Sequence, residues 1–115
     1  MNENRTAFLA MIGVSEGTIT SPATKDRGYD VIVTGIDRKP EIFTDYRSHP
    51  FADGRPSKVI NSHGLTSNAS GRYPFMLRDY WHYKALLHLP DFGPASQDTG
   101  ALQLTRARRA REAID

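Results

Sequence analysis

The chain has 115 residues and a formal net charge of +2. A chain of this length forms one domain with a small core, so we expect a single unit over residues 1–115. Apolar residues make up 38% of the chain and charged residues 24%, which excludes the disordered class. Without cysteine, neither disulfides nor thiolate metal sites can stabilise the fold. The mild positive charge favours an anionic partner, and both cell wall and nucleic acid qualify.

The sequence also bears on whether the protein crosses or enters a membrane. No stretch approaches the roughly 20 apolar residues of a membrane span. The start, Met-Asn-Glu-Asn-Arg, lacks the basic-then-apolar order of a secretory signal. We therefore expect a protein that is made soluble in the cytoplasm and does not insert into a membrane.

The first predicted element is a helix over residues 5–15, in which Phe8, Met11 and Ile12 share one face. Gly17 predicts the end of this helix, because glycine readily adopts the left-handed conformation that follows many helices. Glu16 should then lie in the last turn, with its carboxylate beside the exit of the chain into a loop.

Two β-branched and aromatic runs follow, over residues 29–34 and 41–46, and they predict two strands of a small antiparallel sheet. The stretch 47–71 is rich in His, Pro, Gly, Ser and Asn, so we expect a long surface loop. Proline fits the first turn of a helix, which predicts a helix from Pro74 to about Leu89. Pro94 or Ser96 opens a final helix.

This order of elements predicts an α+β fold, in which helices pack around a small antiparallel sheet with a cleft between them. A glutamate that ends the first helix and faces a small sheet is the layout of the lysozyme superfamily. Glu16 holds that place in this sequence.

Six blocks of sequence together resemble the lambdoid phage endolysins. They are Ala7-Phe8-Leu9, Ser15-Glu16-Gly17-Thr18, residues 28–33, Phe43-Thr44-Asp45-Tyr46 with His49-Pro50, Ser70-Gly71-Arg72-Tyr73, and Ser96-Gln97-Asp98 with Ala101-Leu102-Gln103. The blocks follow in the right order over nearly the whole chain, whereas one tetrapeptide alone would be weak evidence.

The resemblance implies a lytic transglycosylase. Such an enzyme cuts the β-1,4 bond between N-acetylmuramic acid and N-acetylglucosamine and leaves a 1,6-anhydro sugar. Glu16 would be the single catalytic carboxylate, since the C6 hydroxyl of the sugar itself attacks the anomeric carbon. Ordinary glycosidases need two carboxylates for the same bond. The family implies no cofactor, peptidoglycan as the substrate, and access to the periplasmic cell wall through a phage-encoded holin.

Two departures from the family pattern stand out. Family members carry glutamine after Gly-Arg-Tyr, where this chain has Pro74, which lacks both the amide side chain and the backbone N–H. The family also continues well past Asp115 with a helical part that forms the opposite lip of the cleft. We therefore expect this domain to be C-terminally incomplete.

Substrate-binding roles are predicted for six residues that lie within or beside these blocks. Asp45 has a possible role as a second carboxylate, although sugar contacts and hydrogen bonds at a strand end are the preferred interpretation. Strand tyrosines can stack on sugar rings, but they more often pack in a core. The residues are Tyr29, Thr44, Asp45, Tyr46, Arg72 and Tyr73.

No pair of the four histidines has the spacing that places metal ligands on one helical face, so we expect no metal site.

Two alternative functions remain open. The arginine-rich tail after Thr105 allows a small basic nucleic-acid-binding protein, although interleaved aromatic residues are missing. The other alternative is a truncated relic of the enzyme that is weak or inactive and at most binds glycan.

Overall fold

The computed structural model describes residues 3–114, with side chains for residues 3–112. Its order of elements confirms the α+β class: the helices come first and last, and the short strands lie between them. The elements are α1 (Glu3–Ser15), β1 (Val31–Ile32), β2 (Glu41–Ile42), β3 (Lys58–Val59), β4 (Thr66–Ser67), α2 (Leu77–Leu87) and α3 (Pro94–Ile114).

The predicted antiparallel pair is present, but both of its strands are short. β1 pairs with β2 in a register that places Val31 opposite Ile42. The other edge of β1 bonds to the segment before α2, since Val33 N donates to Ala69 O at 2.9 Å and Gly71 N donates to Val31 O at 2.8 Å. β1 is therefore held between β2 and this later segment.

The prediction of an unstructured loop over residues 47–71 is wrong in part, because β3 and β4 form an antiparallel hairpin within it. Ile60 N donates to Leu65 O at 2.8 Å and extends the ladder toward the turn. The Asn61 carboxamide oxygen accepts the N–H groups of His63 and Leu65 and closes the turn. Asparagine favours turns of this kind, in which its side chain bonds to the following backbone.

The predicted start of the second helix at Pro74 is also wrong, since α2 begins at Leu77. Phe75 exchanges both backbone hydrogen bonds with Ser70, at 2.8 and 3.0 Å, and this pairing holds Phe75 outside the helix. Met76 is extended, and the Asn68 side chain accepts the first helical N–H, from Leu77, at 3.0 Å. The predicted end at about Leu89 is close, since the helix ends at Leu87, before a left-handed His88.

The core is largely aromatic, and Phe92 lies at its centre. The Phe92 side chain is 2% exposed, and its ring centroid lies 5.1 to 5.9 Å from the rings of Tyr80 and Phe43. Phe92 lies between α2 and α3, so this connecting segment supplies a central core residue. The other buried core residues are Leu9, Tyr29, Ile32, Phe51, Tyr73, Phe75, Tyr83, Leu89 and Ala101.

The face of α1 that packs inward includes Phe8 and Ile12 of the predicted face, which are partly buried, but it does not include Met11. Leu9 and Gly13, four residues apart, are the buried positions, with Ile12 partly buried beside them. Met11 is 59% exposed because it lies on the far side of the helix from Leu9. An added Cβ at Gly13 would lie 2.6 Å from the Ile19 side chain, so glycine permits this close approach.

His49 is a polar residue held inside the aromatic core. Its Nε2 lies 2.8 Å from the Phe75 carbonyl oxygen, and its Nδ1 accepts the N–H of Phe51 at 3.2 Å. These contacts assign the proton to Nε2 and leave the ring neutral, because Nδ1 acts as an acceptor. Burial lowers the pKa of His49.

This lowered pKa predicts a loss of stability in mild acid. The unfolded chain takes up a proton near pH 6.5 while folded His49 does not, so the free energy of unfolding is highest above about pH 6.5 and falls below it. One such group contributes a slope of at most about 1.4 kcal/mol per pH unit. Urea denaturation between about pH 6.5 and pH 5 measures this slope.

The matched variants are His49→Gln and His63→Gln, since His63 is exposed. His49→Gln should be less stable at neutral pH but should show a flatter pH dependence. His63→Gln should keep the slope of the unmodified chain. Equal slopes in all three proteins would contradict the assignment to His49.

Candidate active site

Glu16 lies in the turn that ends α1, immediately before a left-handed residue. Gly17 N donates to Val14 O at 3.0 Å, and Thr18 N donates to Gly13 O at 3.1 Å. These two bonds form a Schellman motif, in which Gly17 has a φ of 76°. The prediction that Gly17 stops the helix is confirmed. Glu16 lies one residue past α1 rather than in its last turn, and its side chain is exposed.

Thr18 fixes this turn to the rest of the molecule. It is 5% exposed, and its hydroxyl lies 2.6 Å from Arg72 O and 3.2 Å from Gly13 O. The hydroxyl has one hydrogen to donate, so the shorter contact to Arg72 is the stronger one. Gly28 packs closely against the same turn, since a Cβ added at Gly28 would lie 2.9 Å from Ile19 N. The backbone around Glu16 is therefore packed on two sides.

Glu16 borders a groove that opens toward the sheet, which we call the sheet-side groove. Its volume is about 350 Å³, and one wall is the loop after α1 while the other is the segment that begins with β1. The lining residues are Glu16, Gly17, Thr18, Thr20, Ser21, Pro22, Val31, Ile32, Val33, Thr34, Pro40, Ala69, Gly71 and Pro74.

Two further grooves reach Glu16 from the direction of α3, and we call them the helix-side grooves. Their volumes are about 130 and 410 Å³, and both are lined by Glu16, Ile12, Thr105 and Arg108. Pro74 lines both the smaller helix-side groove and the sheet-side groove. Glu16 and Pro74 therefore lie where the depressions on the two sides meet.

The corner that carries Pro74 is held by the side chain of Gln97, which is 1% exposed. Its Oε1 accepts Arg72 N at 2.9 Å, and its Nε2 donates to Tyr29 O at 3.0 Å and to Phe92 O at 2.8 Å. A Cβ at Gly71 would lie 2.5 Å from Gln97 Oε1, so this approach requires glycine. Gln97 thus joins α3 to β1 and to the corner.

A second polar cluster lies behind the corner, where Asp98 accepts the hydroxyl protons of Tyr29 and Tyr73. Arg72 Nη1 donates to the Tyr29 hydroxyl at 2.7 Å. Burial and the bond to Asp98 raise the pKa of Tyr73, so its hydroxyl stays protonated. Tyr29 and Tyr73 are 4% and 6% exposed, which leaves little ring surface for a sugar. Substrate binding by these two residues and Arg72 stays a prediction.

Thr44 and Asp45 line a different depression, of about 670 Å³, that shares no lining residue with the grooves around Glu16. Asp45 forms an ion pair with Arg47 at 2.7 Å, and the hydrogen bonds from Arg47 lower the pKa of Asp45 to about 2. The Tyr46 hydroxyl donates to Asp26 at 2.6 Å. The structure therefore does not bring these three predicted residues beside Glu16.

The described part of the chain has neither a cluster of metal ligands nor a helix that could cross a membrane. Residues 3–112 contain no group of three or more histidine, aspartate or glutamate side chains placed to hold a metal ion. No helix between residues 3 and 114 is both long and apolar enough to cross a bilayer. The arginines of the tail, Arg106, Arg108, Arg109 and Arg111, are exposed on α3.

Comparison with known proteins places this arrangement in a family. A family model described as Endolysin matches residues 6–115. The chain is 58% identical over 113 residues to an endolysin of Escherichia phage P2, a match that covers 98% of this chain and 68% of that protein. It is 42% identical over 116 residues to an endolysin of Escherichia phage lambda, covering 100% of this chain and 67% of that protein.

Solved structures agree with the sequence matches. A lysozyme from bacteriophage lambda superposes with a TM-score of 0.81 at 42% identity, covering all of this chain and 69% of that one. A structure of lambda lysozyme complexed with a chitohexasaccharide gives the same TM-score at 41% identity and the same coverage. The chain spans about two thirds of the length of these relatives.

The fold is that of a lysozyme-like enzyme that cleaves glycan. The chain belongs to the endolysin family, the phage enzymes that degrade peptidoglycan to lyse the bacterial host. The predicted family and fold are therefore confirmed.

The structure also shows positioning residues that the sequence did not single out. Thr18, Gln97 and Asp98 occur in the quoted blocks, but their contacts join segments far apart in the chain. The sequence contained one signal for Gln97, a large polar residue early in a helix that also carries apolar residues. That signal does not identify the backbone groups it binds.

The Schellman turn predicts how a small change beside Glu16 affects activity. Gly17→Ala forces an L-residue into a left-handed conformation, at a cost of about 1–2 kcal/mol. The strain should also displace the Glu16 carboxylate and lower the rate of peptidoglycan solubilisation. Urea denaturation and a sacculus-clearing assay measure the two effects.

Gly64→Ala is the matched control, because Gly64 has a φ of 79° and open space around its Cβ position, as Gly17 does. Its loss of stability should equal that of Gly17→Ala, while its clearing rate remains normal. The same clearing rate in both variants would show that the position of Glu16 does not depend on this turn.

Proposed function

We propose that the chain is a lytic transglycosylase in which Glu16 is the only acid–base residue. The observation that carries the proposal is the place of Glu16: an exposed carboxylate where grooves from the sheet side and the α3 side meet. Asp45 lies in a separate depression and is paired with Arg47. A two-carboxylate mechanism therefore has no support from Asp45.

The reaction needs only one enzyme carboxyl group because the substrate supplies the nucleophile. Protonated Glu16 donates its proton to the glycosidic oxygen as the bond from that oxygen to the anomeric carbon of N-acetylmuramic acid breaks. The C6 hydroxyl oxygen of the same sugar bonds to the anomeric carbon, and its proton passes to the Glu16 carboxylate. The products are an anhydro sugar and a free hydroxyl on the leaving sugar, and no water is consumed.

The grooves suit an extended sugar chain. The lambda lysozyme structure with a chitohexasaccharide supports glycan binding by this chain as well. Hydroxyl groups of Thr20, Ser21 and Thr34 line the sheet-side groove and can hydrogen-bond sugar hydroxyls. Pro74 contributes an apolar surface beside Glu16, where the family resemblance implies a glutamine amide.

The family also suggests where the enzyme acts. We place its synthesis in the host cytoplasm and its substrate, the glycan strands of the wall, in the periplasm. A phage-encoded holin would then provide passage through the inner membrane. The described residues form a lysozyme-like domain, and we treat residues 1–115 as one such domain.

The proposal predicts that Glu16→Gln abolishes turnover while the fold is retained. The amide cannot donate and then accept the proton, and loss of acid–base catalysis lowers rates by about a hundredfold to ten-thousandfold. Mass analysis of muropeptides released from purified sacculi, together with circular dichroism, tests this result. Anhydro products should come from the unmodified chain only.

Glu112→Gln is the matched control, because Glu112 is another exposed glutamate that lines the larger helix-side groove. It should release anhydro products at the normal rate. Equal release by Glu16→Gln and Glu112→Gln would exclude Glu16 as the acid. No release from the folded, unmodified chain would favour an inactive relic that at most binds glycan.

A further inference from the structure

One cation beside Glu16 has no role in the proposed chemistry. Arg108 lies on α3 and lines both helix-side grooves together with Glu16. Its side chain is exposed, and it forms none of the ion pairs found among the described residues. Arg108 therefore presents a solvated guanidinium to whatever occupies the groove next to the acid.

The neighbouring arginines of α3 are placed differently. The Arg109 guanidinium lies 5.7 Å from the centre of the Phe8 ring, and Arg109 lines the larger groove but not the smaller one. Arg106 lines neither groove, although it lies on the same helix and is similarly exposed. Arg108 is thus the arginine that both grooves share with Glu16.

The substrate carries a group that the Arg108 guanidinium can bind. In peptidoglycan, N-acetylmuramic acid alternates with N-acetylglucosamine, and only the muramic sugar carries a lactyl group with its attached peptide. The lactyl carboxyl forms the amide bond to the peptide, so the free carboxylates are those of the peptide, or of the lactyl group where no peptide is attached. In either case they are attached to every second sugar. A guanidinium binds a carboxylate with two parallel, charge-assisted hydrogen bonds.

We infer that Arg108 binds a carboxylate of the muramic acid side group and so sets the register of the glycan strand over Glu16. The inference rests on the proposed function, because register matters only where the strand crosses the acid. Only one of the two alternating glycosidic bonds is the proper substrate, and a cation next to the acid distinguishes the two registers. Asp79 lines only the smaller of these grooves and Glu112 only the larger, so neither is shared by both grooves as Arg108 is.

The test compares Arg108→Ala, Arg108→Lys and Arg106→Ala, each made in the Glu16→Gln background so that bound glycan is not consumed. Binding to purified sacculi and to neutral chitohexaose is measured at low and high salt. We expect Arg108→Ala to weaken sacculus binding about tenfold or more at low salt, a size typical of a charge-assisted hydrogen bond. Arg108→Lys should recover part of the loss, and Arg106→Ala should bind normally.

The neutral oligosaccharide is the decisive comparison, because it carries no carboxylate. All variants should bind chitohexaose equally. Equal weakening of both ligands by Arg108→Ala, or equal effects of Arg108→Ala and Arg106→Ala on sacculi, would overturn the inference. The same substitutions with Glu16 intact report on turnover. Absence of anhydro products from the unmodified chain would contradict the proposed function while leaving the binding result interpretable.

Discussion

The side-chain amide of Gln97 joins three backbone segments that are distant in sequence. A buried amide without partners would cost about 1–3 kcal/mol, so each of its bonds matters to the fold. It binds the backbone of Tyr29 before β1, of Phe92 in the aromatic core, and of Arg72 at the corner before α2. Arg72 O in turn accepts the hydroxyl of Thr18, two residues after Glu16. The position of Glu16 therefore depends on a polar contact made deep inside the molecule.

This arrangement suits a reaction with a single enzyme carboxylate. The Schellman turn and Thr18 restrict the backbone of Glu16, while its side chain remains free to meet the substrate. Two other aspartates have partners of their own: Asp45 lies in a separate depression and pairs with Arg47, and Asp98 accepts the hydroxyls of two tyrosines. A nucleophile from the sugar itself makes a second carboxylate unnecessary. Pro74 contributes to the walls of the grooves on both sides of Glu16.

Local signals predicted the parts of the fold that depend on local physics. Gly17 ends α1 through its left-handed conformation, and Pro94 begins α3 because the first turn of a helix tolerates a missing N–H. Pro74 also suited the first turn of a helix, but no helix begins there. The two backbone hydrogen bonds between Phe75 and Ser70 hold this segment outside α2. The burial of Phe92 also depends on partners from other segments, which no local pattern in the sequence specifies.

The candidate site also has a part that the sequence predicts and a part that it does not. Glu16 was predicted from its place after a helix and from the family resemblance. The hydrogen bonds of Gln97, Thr18 and Asp98 join distant segments and could be seen only in the folded structure.

The most direct test of the account is digestion of purified sacculi in water labelled with heavy oxygen. The account predicts anhydro ends that carry no label, because no water enters the reaction. Labelled reducing ends would contradict it and would show a hydrolase.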